Sequence, residues 1–298
     1  MKKRTHFFSR GGLFLLTLLL LFACLDVALS QMHIVETSPL FVKNDFEKTI
    51  LGHGGATEYD QVLYGNSVII SAFREEESQS NYVNFGLDYG TMTDLRDMLL
   101  GGYVTVKEDL VLALNYFTFL DTMDTNPTYP WHKKPWEPYL YFQRDRLHTF
   151  LTTGLENLLA SKPFVETLYE STDKYVYYGM MSEEELQERI DTHRTLYWGL
   201  GLTSYQENFS ALEDVISYCS ENGIRLRAIW MPWNPVIAMP ENPRRVCETA
   251  DALLKEAGIE VLDMTDALPQ DCFFDLGHLN YEHGAYIFTE ELTAWLLS

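Results

Sequence analysis

From residue 60 onward the chain alternates short apolar runs with longer stretches in which apolar residues recur every three or four positions. Runs of the first kind suit buried strands and stretches of the second kind suit helices packed on them. The alternation therefore predicts an α/β domain with a mostly parallel sheet covered by helices. The runs over 61–64, 82–85, 109–114, 224–231 and 259–263 are read as strands. Helices are expected over 93–100, stopped by Gly101-Gly102, and over 205–221, 243–257 and 283–297. No internal repeat or low-complexity tract breaks the rhythm.

The pattern changes between about 121 and 201. Asn126-Pro127-Thr128-Tyr129-Pro130-Trp131-His132 and Pro135-Trp136-Glu137-Pro138-Tyr139 make a loop rich in proline and aromatic residues. Helices are expected to follow it over 141–161 and 182–197. This segment reads as an insertion leaving the strand that ends near Asn115. Open α/β sheets bind ligands beyond the carboxyl ends of their strands, so an insertion there stands beside a site. Trp131 and Trp136, with Tyr139 and Tyr141, are candidate platforms for a sugar ring; packing the loop is the other use of such residues.

The first thirty residues follow a third pattern. Lys2, Lys3, Arg4 and Arg10 precede an apolar run over 11–25, broken first at Asp26, as in an export signal. Ala28-Leu29-Ser30 offers a small-x-small cleavage site before Gln31. The same stretch is about the 20 residues that span a bilayer, and so also suits a lasting anchor. A lipidated Cys24 is a third reading, against which Phe22 is bulky and Leu25 stands where a small or polar residue is usual. The basic flank is expected in the cytoplasm and the body outside. The layout is then 1–30 as signal peptide or membrane anchor, 31–59 as a linker, and 60–298 as the α/β domain with its insertion.

Charge and cysteine content narrow the chemistry. With 22 Lys+Arg against 43 Asp+Glu the formal charge is -21, which argues against nucleic acid as a partner. A hydrophobic share of 46% and an aromatic share of 14% are enough for a large core. Cys24, Cys219, Cys247 and Cys272 show no CxxC or Cys/His zinc spacing, and the three beyond the leader allow at most one disulfide. Neither a metal nor a cofactor is expected. His283, five residues after His278, suggests an Asp/His metal pair, but the sequence shows no further clustered ligand.

Three stretches fall at the ends of expected strands: Gly65-Asn66-Ser67, Ala113-Leu114-Asn115 and Asp275-Leu276-Gly277-His278. A serine hydroxyl becomes a nucleophile when a base takes its proton, and the base needs a carboxylate to fix its tautomer. Asp275 and His278 supply that pair three residues apart. On one turn the carboxylate reaches Nδ1 while Nε2 faces elsewhere, toward Ser67 if the fold joins the two loops. The structural alternatives are a helix N-cap for Ser67, a capping turn for Asp275 and His278, and a loop-bonding role for Asn115. His53-Gly54-Gly55 is read as a loop and not as an α/β-hydrolase oxyanion loop, because Gly65-Asn66-Ser67-Val68-Ile69 lacks the second glycine of a nucleophile elbow.

The order of these motifs, Gly65-Asn66-Ser67, then Asn84-Phe85-Gly86 with Thr93-Asp94-Leu95, then Asn115, then Asp275-x-x-His278-Leu279-Asn280-x-x-x-Gly284, resembles the SGNH (GDSL-like) hydrolase superfamily. The resemblance covers about 60–297 without the insertion. It implies a flavodoxin-like three-layer α/β/α SGNH-hydrolase fold in which Ser67 is the nucleophile, His278 the base and Asp275 its orienting acid. It also implies an oxyanion hole made by the Ser67 amide, the Gly90 amide (Tyr89 as the alternative) and the Asn115 side chain. Asn66 stands where the family usually has Asp. Ala113 and Tyr116 flank Asn115 where Gly-x-Asn-Asp is usual, and an ungapped match puts Tyr89 at the oxyanion glycine. Export, an acidic body and Trp233-Asn234-Pro235 are most similar to the DltD-like and alginate O-acetylation branch. The implied function is an exported serine esterase or O-acyltransferase acting on an acylated cell-envelope carbohydrate of a bacterium. Transfer would imply a membrane-bound acyl-donor partner. The alternative is a catalytically inactive scaffold of the same fold that binds glycan or assists envelope assembly.

Overall fold

Strands form where apolar residues are continuous, because both faces of such a strand are covered. The computed structural model describes residues 3–32, 43–123, 125–132, 145–164 and 176–298. Its strands are β1 (Glu58–Gly65), β2 (Val83–Gly86), β3 (Thr105–Leu114), β4 (Arg225–Trp230) and β5 (Glu260–Asp263). They pair in the order β2-β1-β3-β4-β5, all in parallel. Because β1 lies between β2 and β3, the strand order reverses beside β1, and the carboxyl edge at such a switch point is where open α/β sheets bind ligands.

Alternate side chains of the strands serve opposite faces. Leu63, Val111, Ala113 and Ile229 share one buried cluster with Val68 and Ile69 of α3 (Ser67–Ala72) and with Phe288 and Leu292 of α9 (Gly284–Leu296). On the other face Phe119 lies 6.3 Å from Trp230 and 5.4 Å from Phe209 of α7 (Gln206–Asn222). There α7 packs on α4 (Met92–Leu100), and α8 (Glu241–Glu256) lies beside β5. The arrangement is compatible with three layers, helix on sheet on helix. Each large apolar side chain buried this way contributes roughly 1.5–3 kcal/mol, which is why the runs rather than the loops fix the sheet.

One charge sits inside this core. Arg227, in the middle of β4, is 1% exposed. Its Nη2 donates to Asp109 Oδ2 at 2.9 Å, to Tyr82 Oη at 2.5 Å and to the Leu296 carbonyl at 3.3 Å, and Nη1 donates to the Trp295 carbonyl at 3.2 Å. A buried guanidinium is tolerated only with such a set of acceptors.

Contacts divide the chain into two compact units. The sheet unit is Asp45–Asn126 with Thr172–Ser298; the other is Met1–Asn44 with Pro127–Ser171. Two elements fall elsewhere than the sequence pattern suggests. The segment read as a linker contains α2 (Asp45–Gly52), which belongs to the sheet unit: Phe46 meets Phe85 at 6.3 Å and the Asp45 carboxylate accepts the Asp88 amide at 2.8 Å. The expected insertion is itself divided, because α6 (Glu183–Leu196) also belongs to the sheet unit. In the other unit, α1 (Lys3–Gln31) includes Gly11–Gln31, an exposed apolar stretch of 21 residues. Its length and composition suffice to cross a membrane, a property that signal sequences and anchors share. That unit also holds α5 (Asp145–Leu159), and Trp131 stacked on Tyr129 at 4.9 Å. Trp136, Tyr139 and Tyr141 lie outside the described residues.

Cys219, Cys247 and Cys272 are free thiols. Burial pushes those of Cys219 and Cys247 up to about 12, so both stay protonated. His53 faces Glu75 at 2.6 Å.

Candidate active site

The end of β1 meets the end of β3 closely. A Cβ on Gly65 would lie 2.7 Å from the Ala113 carbonyl oxygen, so only glycine allows this approach. Asn66 then turns the chain into α3 as its N-cap, with Oδ1 accepting the Val68 amide at 3.1 Å. The capping role thus falls to Asn66, and Ser67 is the first helical residue with its hydroxyl directed elsewhere.

Asn115 caps the short helical turn Tyr116–Phe119, accepting the amides of Phe117 and Thr118 at 3.0 and 3.2 Å. It also forms a reciprocal amide pair with Asn66. Asn66 Nδ2 donates to Asn115 Oδ1 at 2.9 Å, and Asn115 Nδ2 donates to Asn66 Oδ1 at 3.2 Å. The Asn115 amide carries a second hydrogen besides the one Asn66 accepts. The pair explains asparagine at position 66: an aspartate would set a carboxylate oxygen against Asn115 Oδ1, and flipping Asn115 would break its cap. Asn66→Asp is expected to lower stability by about 1–2 kcal/mol, read as a fall in the urea midpoint. An equal or higher midpoint would count against the pair.

The third stretch folds into a tight turn. Asp275 is 3% exposed, and its Oδ1 accepts the amides of Gly277 at 3.0 Å and His278 at 2.8 Å. Oδ2 faces His278 Nδ1 at 2.9 Å, and His278 Nε2 lies 2.9 Å from Ser67 Oγ. The turn therefore caps and orients at once. Burial alone would raise the Asp275 carboxyl, but the His278 hydrogen bond and charge and the two amides hold it well below the usual carboxylate range.

Two neighbours brace this turn. Asn234, 2% exposed, donates through Nδ2 to the Asp275 carbonyl at 2.7 Å, and its amide donates to the Leu276 carbonyl at 3.2 Å. The segment 176–181 lies on the other side: Tyr281 donates its amide to the Tyr177 carbonyl at 2.7 Å, and Met181 donates to the Phe274 carbonyl at 2.9 Å. The Tyr177 ring packs 4.7 Å from the His278 ring. Burial first, then the charges of Asp275 and Asp88, push the Tyr177 phenol up to about 12, so it stays neutral.

Above Ser67 and His278 opens a cleft of about 730 Å³, lined by aromatic residues that include Tyr89, Phe117, Tyr197 and Trp233. Gly90 takes a different place from the one implied for it. Its amide donates to the Leu87 carbonyl at 3.0 Å, and it packs against Gly65. Tyr89 is the residue of this turn that lines the cleft, and it holds a left-handed backbone with φ 55°. A non-glycine residue in that region is strained, and such strain gathers at sites that must aim a backbone group.

The contribution of α6 was not foreseen from the sequence. Arg189 and His193 lie one helical turn apart and both line the cleft. That spacing within an expected helix was the available signal. Burial first, then the Arg189 charge, lower His193 from 6.5 to about 4, while Asp275 opposes the shift. The folded protein thus resists protonating His193, whereas the unfolded chain protonates it near 6.5. The stabilising effect of the neutral ring is complete above that pH and is lost as pH falls toward 4, about 2 kcal/mol after allowing for partial exposure. His193→Gln is expected to flatten the fall of the urea midpoint between pH 6.5 and about 4; an unchanged slope would contradict the assignment.

Among the described residues, one other set of donors clusters. Asp271, Cys272 and His283 bring their ligand atoms within 4.8 Å of one another at the foot of the Asp275–His278 loop. The turn at Asn280, whose amide donates to the Cys272 carbonyl at 2.9 Å, brings Cys272 beside His283 where the sequence showed no partner. Cys272 is part of the apolar core.

No model of a known protein family matches the chain, and no curated protein matches it either.

Proposed function

We propose that the chain is an SGNH-type serine esterase or O-acyltransferase with a flavodoxin-like three-layer fold. It is exported or anchored through its N-terminal helix and acts on an acylated cell-envelope carbohydrate. The observation that carries this reading is the pair of 2.9 Å contacts that joins Ser67 Oγ to His278 Nε2 and His278 Nδ1 to Asp275 Oδ2. The strand order and the open cleft add support.

In this reading His278 takes the Ser67 proton as Oγ attacks the ester carbonyl, and Asp275 stabilises the imidazolium. Donors for the oxyanion are the Ser67 amide, the Tyr89 amide in place of Gly90, and the Asn115 side chain. As the ester C–O bond breaks, His278 returns the proton to the leaving oxygen. Water or a sugar hydroxyl, deprotonated by the same imidazole, then takes the acyl group from Ser67. Transfer to a sugar implies a membrane-bound acyl donor.

An inactive glycan-binding scaffold would not require contact between Ser67 and His278, and their distance favours the enzyme. The test uses the full chain in detergent, a serine-directed phosphonate and intact mass. A single adduct on Ser67, together with acyl release from an aryl acetate, is expected. Folded protein that neither labels nor turns over would overturn the reading. Acetylated oligosaccharides as substrates and acceptors then separate hydrolysis from transfer.

A further inference from the structure

The helix α6 brings a cation to the acid end of the triad. Arg189 Nη1 lies 3.4 Å from Asp275 Oδ2, the same oxygen that faces His278 Nδ1. The Asp275 side chain is 3% exposed and that of Arg189 is 41% exposed, so the guanidinium bridges a buried carboxylate and the open cleft. An ion pair with one side in water adds little to stability, which leaves its position to be explained by what it touches.

That position is fixed by backbone and not by a long side chain folding over a surface. A capping box sets the start of α6, with Ser182 Oγ accepting the Glu185 amide and the Glu185 carboxylate accepting the Ser182 amide. Immediately before it, the Met181 amide is tied to the Phe274 carbonyl, next to Asp275. The helix and the triad turn are thus held to each other at both the backbone and the Arg189 side chain.

We propose that Arg189 is a positioning residue of the triad, holding Asp275 Oδ2 toward His278 so that Nε2 stays aimed at Ser67 Oγ. This inference rests on the esterase reading and deepens it, because it places support of the base in α6. The other groups facing the triad are Asp88 and Tyr89 after β2, Tyr177 from the bracing segment, and Glu185, Glu188 and His193 of α6. Tyr177 and His193 are neutral at working pH. The three carboxylates favour the imidazolium and so act against Arg189.

Removing the cation therefore makes His278 easier to protonate, and the acid limb of kcat/KM moves to higher pH. The test compares the full chain with Arg189→Met and Arg189→Lys, using Ser67→Ala as the blank, by aryl-ester kinetics across pH and by thermal unfolding. For Arg189→Met the expected result is a loss of about tenfold in kcat at neutral pH, KM within about twofold, and an acid limb raised by about half a pH unit. Arg189→Lys keeps the charge and is expected to hold the limb in place. An unmoved limb in Arg189→Met, a loss confined to KM, or equal behaviour of the two variants would each overturn the inference. If wild type shows no Ser67-dependent turnover, the esterase reading fails and this inference falls with it; wild-type turnover with an unmoved limb refutes the positioning role alone.

Discussion

Ser67→Ala is expected to lower kcat for ester cleavage by roughly 10⁵- to 10⁶-fold, toward the level supplied by binding and oxyanion donors alone. The substitution removes the hydroxyl that faces His278 and little else. Asn66, not Ser67, caps α3, and the hydroxyl's contact is with His278. Stability should therefore change by less than about 1 kcal/mol, and KM should stay near its wild-type value. Steady-state kinetics on the full chain, with unfolding measured on the same sample, tests both parts. Retention of more than a tenth of wild-type kcat would remove Ser67 from the chemistry.

Asp275→Asn is expected to cost about 10⁴-fold in kcat while leaving the turn in place. Both carboxylate oxygens face His278 Nδ1, Oδ1 at 3.0 Å and Oδ2 at 2.9 Å, and Oδ1 also takes two backbone amides. Oδ1 accepts the amides of Gly277 and His278, and the asparagine oxygen can take over both bonds. The new Nδ2 then occupies the place of Oδ2, facing His278 Nδ1 and Arg189. With Oδ1 engaged by the two amides, the new donor set against Nδ1 favours the imidazole with its proton on Nε2, which can no longer accept one from Ser67. Nitrogen chemical shifts of His278 should report the exchanged tautomer alongside the lost activity. A variant within tenfold of wild type, with the tautomer unchanged, would sink the orienting role. Because the Asp275 carboxyl is held well below its usual range, the carboxylate's stabilising effect is present above the ordinary Asp range near 4 and fades only as pH falls through the depressed folded value.

The sheet was legible because its signal is local. β3 ends in an unbroken apolar run and β4 is mostly apolar, and the structure places their ends within a few residues of the expected bounds. The Asp275 turn was legible for the same reason, since three residues suffice for the carboxylate to reach the ring. Contact between that turn and Ser67 spans 211 positions and depends on strand order, which no local spacing encodes. Other features escaped because their causes are tertiary. The helix α2 is eight residues long, and packing of Phe46 on Phe85 helps to hold it. Whether Gly90 or Tyr89 turns toward the cleft depends on a hydrogen bond to Leu87 and on a positive φ. The expected helix over 182–197 was right in kind, but its membership of the sheet unit follows from backbone bonds such as Met181 to Phe274.

Arg227 links the centre of the sheet to the last turn of α9. Two of its acceptors are the carbonyls of Trp295 and Leu296, in the last turn of α9, while Asp109 and Tyr82 belong to earlier parts of the chain. A chain made from its N-terminus forward has every strand available before those carbonyls arrive. Until then the centre of β4 holds a cation with an incomplete set of partners, and the sheet closes over it only at a cost. The centre of the sheet is thereby coupled to the last turn of α9, so a change that unravels that turn is expected to loosen β4 as well.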